Sequence, residues 1–161
     1  MSARATLYAV LAALAACSPM SADAGQKAAA TAPARHPASG LAVVPLTIAS
    51  ANARHAFRVE IARSGEEQAK GLMFRTAMGA NEGMIFPREP ARQASFWMKN
   101  TVISLDLVFI GPDKRIESIA ANAVPYSLSP LSSKGSVSAV LELNGGRAAQ
   151  LGLAPGDRVA W

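Results

Sequence analysis

The sequence predicts a mainly β domain of the α+β type: a compact mixed or antiparallel sheet, barrel-like in the limit, with two short helices. Three observations carry this expectation. Apolar residues recur with period two or in short unbroken runs, Gly, Pro, Asn and Asp clusters separate those runs, and only two stretches combine helix-forming composition with stop or cap residues.

Val43, Val44, Leu46 and Ile48 form the first run. After a turn near Ser50 to Asn52, His55, Phe57, Val59 and Ile61 alternate with Arg54, Arg58 and Glu60, so the two segments form a hairpin with Glu60 on the wet side. Ser64 and Glu67 make a capping box that opens a short helix, with Ala69, Leu72 and Met73 on one side. Met84-Ile85-Phe86 reads as a brief, edge-like strand, because Pro87 has no N–H to give a central ladder. Leu105 to Ile110, interrupted only by Asp106, reads as a central strand. The turn Gly111-Pro112-Asp113-Lys114 leads back through Ile116 and Ile119 as a second hairpin, and Val137 to Leu143 is a further buried strand carrying Glu142. Asn144 is the expected N-cap of a helical turn over 145–151 that Gly152 stops, and Pro155-Gly156-Asp157 turns the chain into Val159.

Organisation along the chain is uneven. Arg4, the apolar run Leu7 to Ala16 and Leu14-Ala15-Ala16-Cys17 have the form of a bacterial lipoprotein signal over 1–17, with Cys17 as the lipidated residue. Positions 18–40 are rich in Ala, Ser, Pro and Gly with no large apolar side chain beyond Met20, so they are expected to be a disordered tether, with His36 solvated within it. Positions 41–161 suffice for one globular domain. No cysteine follows Cys17, so no disulfide supports it. Ser18 after the cysteine points to the periplasmic side of the outer membrane; a soluble periplasmic or secreted protein is the alternative, with cleavage after Ala24. Without the signal the chain has fifteen basic and eleven acidic residues, a net of +4 and no basic run, which excludes nucleic acid as the expected partner.

The strings Gly71-Leu72-Met73-Phe74-Arg75, Glu82-Gly83-Met84-Ile85-Phe86, Phe96-Trp97-Met98-Lys99-Asn100-Thr101, Leu105-Asp106-Leu107-Val108-Phe109-Ile110 and Val140-Leu141-Glu142-Leu143-Asn144-Gly145-Gly146 resemble one family, the domain of unknown function 192 family. The resemblance spans roughly positions 57–161, and the Trp-Met-Lys-Asn-Thr string is highly specific. It implies a compact, mainly β domain common in exported bacterial proteins, with no agreed activity and therefore no catalytic residue to carry over. Ser104 stands where the family pattern usually has proline, a departure local to the entry turn of the following strand.

Chemistry must be sought among polar residues inside apolar runs, where a charge costs several kcal/mol unless it is paired or used. The candidates are Arg75, Lys99, Asn100, Asp106 and Glu142, with Trp97 as the wall of a cleft. Asp106 is expected to pair with Arg75 or Lys99, and Asn100 and Thr101 to cap a turn through their own backbone. No nucleophile constellation is present, and no cofactor is implied. The chain reads as a non-catalytic binding or accessory domain for a small polar or anionic envelope ligand. Two alternatives stand beside it: a glycan-acting enzyme using Asp106 and Glu142, and a copper-binding protein using Met73, Met78, Met84 and Met98.

Overall fold

A computed structural model describes residues 34–161; the proposed signal, Cys17 and the tether as far as 33 lie outside the described residues. The elements are β1 (Val43–Ala49), β2 (Arg54–Ile61), α1 (Gly65–Lys70), β3 (Glu82–Phe96), β4 (Leu105–Ile110), β5 (Ile116–Ala123), β6 (Leu131–Asn144), α2 (Arg147–Gln150) and β7 (Arg158–Ala160). The strands form one mixed sheet in the order β5-β4-β6-β3-β2-β1-β7. Every pairing is antiparallel except β2 with β3. The sheet curls into a half-barrel whose edges touch through the Arg115–Arg158 bridge and main-chain bonds from Ile116 N to Asp157 O (2.9 Å) and Val159 N to Lys114 O (2.8 Å). The mainly β expectation, both hairpins and the two short helices are found.

Alternation along the strands builds two apolar layers. One, on the concave side, takes side chains from all seven strands, including Ile48, Val59, Ile85, Val108, Ile116, Leu141 and Val159. The other, on the convex side, takes Met84, Phe86, Leu107, Phe109 and Val140, and is roofed by Leu72 and Met98 from connecting segments. All six residues of β4 and residues 139–143 of β6 are therefore buried.

The folded unit begins before position 41. His36 N donates to Leu41 O (2.8 Å), Val43 N donates to Ala34 O (2.7 Å), and the Ser39 hydroxyl donates to Glu60. His36 is only 19% exposed at its side chain and lies beside Glu60, so the expected solvated histidine is instead packed.

Met84-Ile85-Phe86 is the start of a fifteen-residue interior strand, not a brief edge. Its pairing with β2 ends at Ile61–Ile85, so no ladder on that side asks Pro87 for an N–H, and the register with β6 shifts between Pro87 and Arg92. Leu105 to Ile110 is fully buried, though it lies second from the sheet edge.

The α1 capping box forms in both directions, Glu67 N to Ser64 Oγ (3.1 Å) and Ser64 N to Glu67 Oε2 (2.8 Å). Those N–H donors, from Ser64 and then Arg63, hold the Glu67 carboxyl below the usual carboxylate range. The cap of α2 differs from expectation. Gly146 is its N-cap, and Asn144 donates instead to Met78 O (3.0 Å) and Gly79 O (3.1 Å), tying that loop to β6. The donors at the start of α2 are taken by Asp106, fully buried on β4, which accepts from Gly146 N (2.9 Å), Ala148 N (2.8 Å) and Asn122 N (2.8 Å). Asp106 thus joins β4, β5 and α2 and pairs with neither Arg75 nor Lys99. Ser104 holds the entry turn of β4: its hydroxyl donates to Ala123 O (3.0 Å) and its carbonyl accepts from Gly145 N (2.8 Å).

Asp106→Ala leaves three N–H groups, one buried and two partly buried, without their acceptor and is expected to cost about 3–5 kcal/mol in urea denaturation at neutral pH. An unchanged midpoint would remove this three-way joint from the account.

Candidate functional site

A carboxylate buried between two apolar layers must find a partner, and the convex layer contains two. Glu60 aligns with Met84 across β2 and β3, and Met84 aligns with Glu142 and then Leu107 across β6 and β4. Glu60 and Glu142 therefore lie on one row of one face, about 10 Å apart at the backbone, with a single strand between them.

Their surroundings differ. Glu60 receives both guanidinium nitrogens of Arg75 (2.9 and 3.1 Å) and the Ser39 hydroxyl. Glu142 is 5% exposed, and among the described residues no group hydrogen-bonds its carboxylate. Burial alone pushes its pKa up to about 8, so the side chain is mostly a neutral acid at pH 7 and has an O–H to donate.

Glu142 forms part of the lining of an open cleft of about 200 Å³ beside α1. Lys70, Arg88 and Lys99 bring three cations to its walls; Phe86, Phe96 and Trp97 supply apolar surface. The Phe86 and Phe96 rings meet edge to face at 5.2 Å, and the Arg88 guanidinium stacks 5.3 Å from the Phe96 centroid. Buried Arg88 Nε has no hydrogen-bond partner among the described residues, and desolvation, with Arg92 nearby, lowers its pKa from the usual arginine range. Lys99 stands 5.4 Å over the half-exposed Trp97 ring. Gly71, with φ of +46°, brings the chain past the end of α1 so closely that a Cβ there would lie 3.4 Å from the Phe86 ring.

Two connecting segments that line the cleft, and a third that backs them between β5 and β6, are stitched by main-chain bonds: Phe74 N to Asn100 O (2.8 Å), Tyr126 N to Thr101 O (3.1 Å) and Met98 N to Ser127 O (2.8 Å). Each segment holds one non-glycine residue at positive φ, Phe74 at 62°, Asn100 at 55° and Tyr126 at 62°. For Phe and Tyr this is an unusual conformation, of the kind that concentrates at functional sites.

Of the residues expected from sequence, Trp97, Lys99 and Glu142 come together. Asn100 adjoins them as a turn residue, its amide 3.8 Å from the Met73 sulfur, while the Thr101 hydroxyl donates to Lys99 O (3.3 Å). Arg75 is held by Glu60, and Asp106 is on the opposite face of the sheet: it aligns with Leu143, whereas Glu142 aligns with Leu107. The two carboxylates of the glycan-enzyme alternative therefore cannot flank one bond. Met84 and Met98 are core residues. Sequence reasoning missed Lys70, Arg88 and Glu60; the first two resemble any solvated cation, and Glu60 alternates with Arg58 as on a wet face.

The family model described as "Uncharacterized ACR", domain of unknown function 192, matches residues 46–161, and the chain belongs to that family. It is similar to a solved protein of unknown function from Novosphingobium aromaticivorans, with 59% identity and a TM-score of 0.79 over 82% of this chain and 94% of the other. It is also similar to a protein from Sinorhizobium meliloti whose description proposes a transcription regulator, with 38% identity and a TM-score of 0.73 over 74% and 94% of the two chains. No curated protein matches it.

Glu142 links stability to pH. Its folded pKa, about 8, lies above the ordinary 4.5, so its contribution is fully present below pH 4.5 and is lost as pH rises toward 8. Glu142→Gln is expected to remove that slope and to be the more stable form at pH 8, by up to roughly 4–5 kcal/mol at about 1.4 kcal/mol per unit. Denaturant titrations of both proteins from pH 5 to pH 9 measure it; parallel profiles would contradict the assignment.

Proposed function

We propose that this domain is a non-catalytic binding module for a small organic anion, a carboxylate above all, which it holds in the cleft over Glu142. The observation that carries the reading is a buried acid, without a hydrogen-bond partner among the described residues, in a cleft also lined by three cations, Lys70, Arg88 and Lys99. A neutral Glu142 donates its O–H to the incoming anion, the cations compensate the charge, and the aromatic walls supply apolar surface beside the polar contacts. Ionisation of Glu142 at higher pH sets two negative charges against each other and weakens binding. The transcription-regulator description of the Sinorhizobium protein does not transfer to this reading, since the chain has no basic run to follow phosphates.

Placement in the cell belongs to the same proposal: a lipoprotein anchored through Cys17 at the periplasmic side of the outer membrane, with envelope metabolites or wall fragments as the accessible ligands. The support is the Leu14-Ala15-Ala16-Cys17 string followed by Ser18.

Thermal-shift titration with small carboxylates at pH 6 tests the cleft: the melting temperature should rise with ligand, by an amount equivalent to about 2.7 kcal/mol at a hundredfold excess over Kd. The rise should shrink for Lys99→Ala and at pH 9; a Tm indifferent to every anion tried would defeat the proposal. For the anchor, palmitate labelling in a Gram-negative host should mark the wild-type chain and not Cys17→Ser. An unlabelled wild type would refute it.

A further inference from the structure

The Glu142 cleft does not end at its aromatic wall. A second open cavity of about 170 Å³ is lined by Ser95, Phe96, Trp97, Leu128 and Pro130, and it shares the first three with the Glu142 cleft. The two are therefore contiguous around the Phe96–Trp97 edge. Their chemistry differs. The first has three cations and an acid; the second has no ionisable group, and its one hydroxyl, on Ser95, accepts from Ser132 (3.1 Å).

Trp97 and Leu128 are 53% and 64% exposed. Both belong to segments pinned by the bond from Met98 N to Ser127 O, so this apolar surface is held in place beside the charged cleft rather than free to collapse. Large apolar side chains fixed in water next to a polar pocket are the arrangement a ligand with two unlike ends would cover.

We infer that the ligand is a single-chain aliphatic carboxylic acid, its head on Glu142, Arg88 and Lys99 and its tail along Trp97 and Leu128. This rests on the anion reading of the cleft and adds the tail to it. Two small adjoining cavities, one charged and one apolar, match one head and one short chain, not the paired chains of a diacyl lipid.

Isothermal titration of the full chain at pH 6 with acetate, butyrate, hexanoate, octanoate and octanol tests the inference. Affinity is expected to climb about two- to fourfold per added methylene from acetate to octanoate, the gain for burying a CH₂ wholly or in part. Leu128→Ser, at an exposed loop position, should flatten that climb and leave acetate affinity unchanged. Equal affinity for acetate and octanoate would overturn the tail while leaving the anion reading intact, and so would a climb that Leu128→Ser does not alter. Octanol binding as tightly as octanoate would overturn the coupling of head to tail. Failure of every carboxylate would overturn the anion reading itself.

Discussion

Strands β4 and β6 have no wet face along most of their buried length, and the first residues of β3 share that condition. Any ionisable group there must be satisfied by the protein, left neutral, or reserved for something that arrives from outside. Three carboxylates in this sheet meet the constraint in three ways. Asp106 is surrounded by backbone N–H groups and becomes a structural joint. Glu60 takes a bidentate guanidinium and a hydroxyl. Glu142 has no hydrogen-bond partner among the described residues, and burial raises its pKa. Because Glu60 and Glu142 occupy the same row, the contrast cannot be ascribed to depth or strand position; it comes from what the connecting segments bring over each.

Those segments divide the labour. The leading residues 34–41 and Arg75 close over Glu60, while α1 and the 97–101 turn leave Glu142 with an opening lined by cations. Positive φ angles at Phe74, Asn100 and Tyr126, linked by main-chain bonds, indicate an opening held in a set shape by neighbouring loops rather than formed by relaxed chain. Rigid placement of a few polar groups around an apolar wall limits the ordering cost of binding, which favours even small ligands.

Local signals made the hairpins, the α1 cap and the buried runs legible, since each depends on residues close in sequence: the alternation of Phe57, Val59 and Ile61, the Ser64–Glu67 pair, the turn at Gly111 to Lys114. Departures arose wherever a distant partner decided the outcome. Pro87 sits inside a long strand because β2 has already ended beside it, and Asn144 leaves the α2 cap because Asp106, distant in sequence, supplies the acceptor. Trp97, Lys99 and Glu142 were readable as polar or aromatic residues embedded in apolar surroundings. Arg88 and Lys70 were not, since a surface cation and a cleft cation look alike until the chain is folded. Glu60 was concealed by a strand whose polar side is covered by the leading segment.

The contact between the first turn of β5 and the short β7 has a meaning beyond shape. An open seven-stranded sheet offers two rows of unsatisfied main-chain groups, an invitation to pair with another molecule. Here the two ends of the sheet meet through an isolated bridge between Arg115, just before β5, and Arg158 of β7, and β7 is only three residues long. The template on which a second copy could add is thereby shortened at β7 and at the start of β5, in a domain whose described residues contain no cysteine to cross-link it.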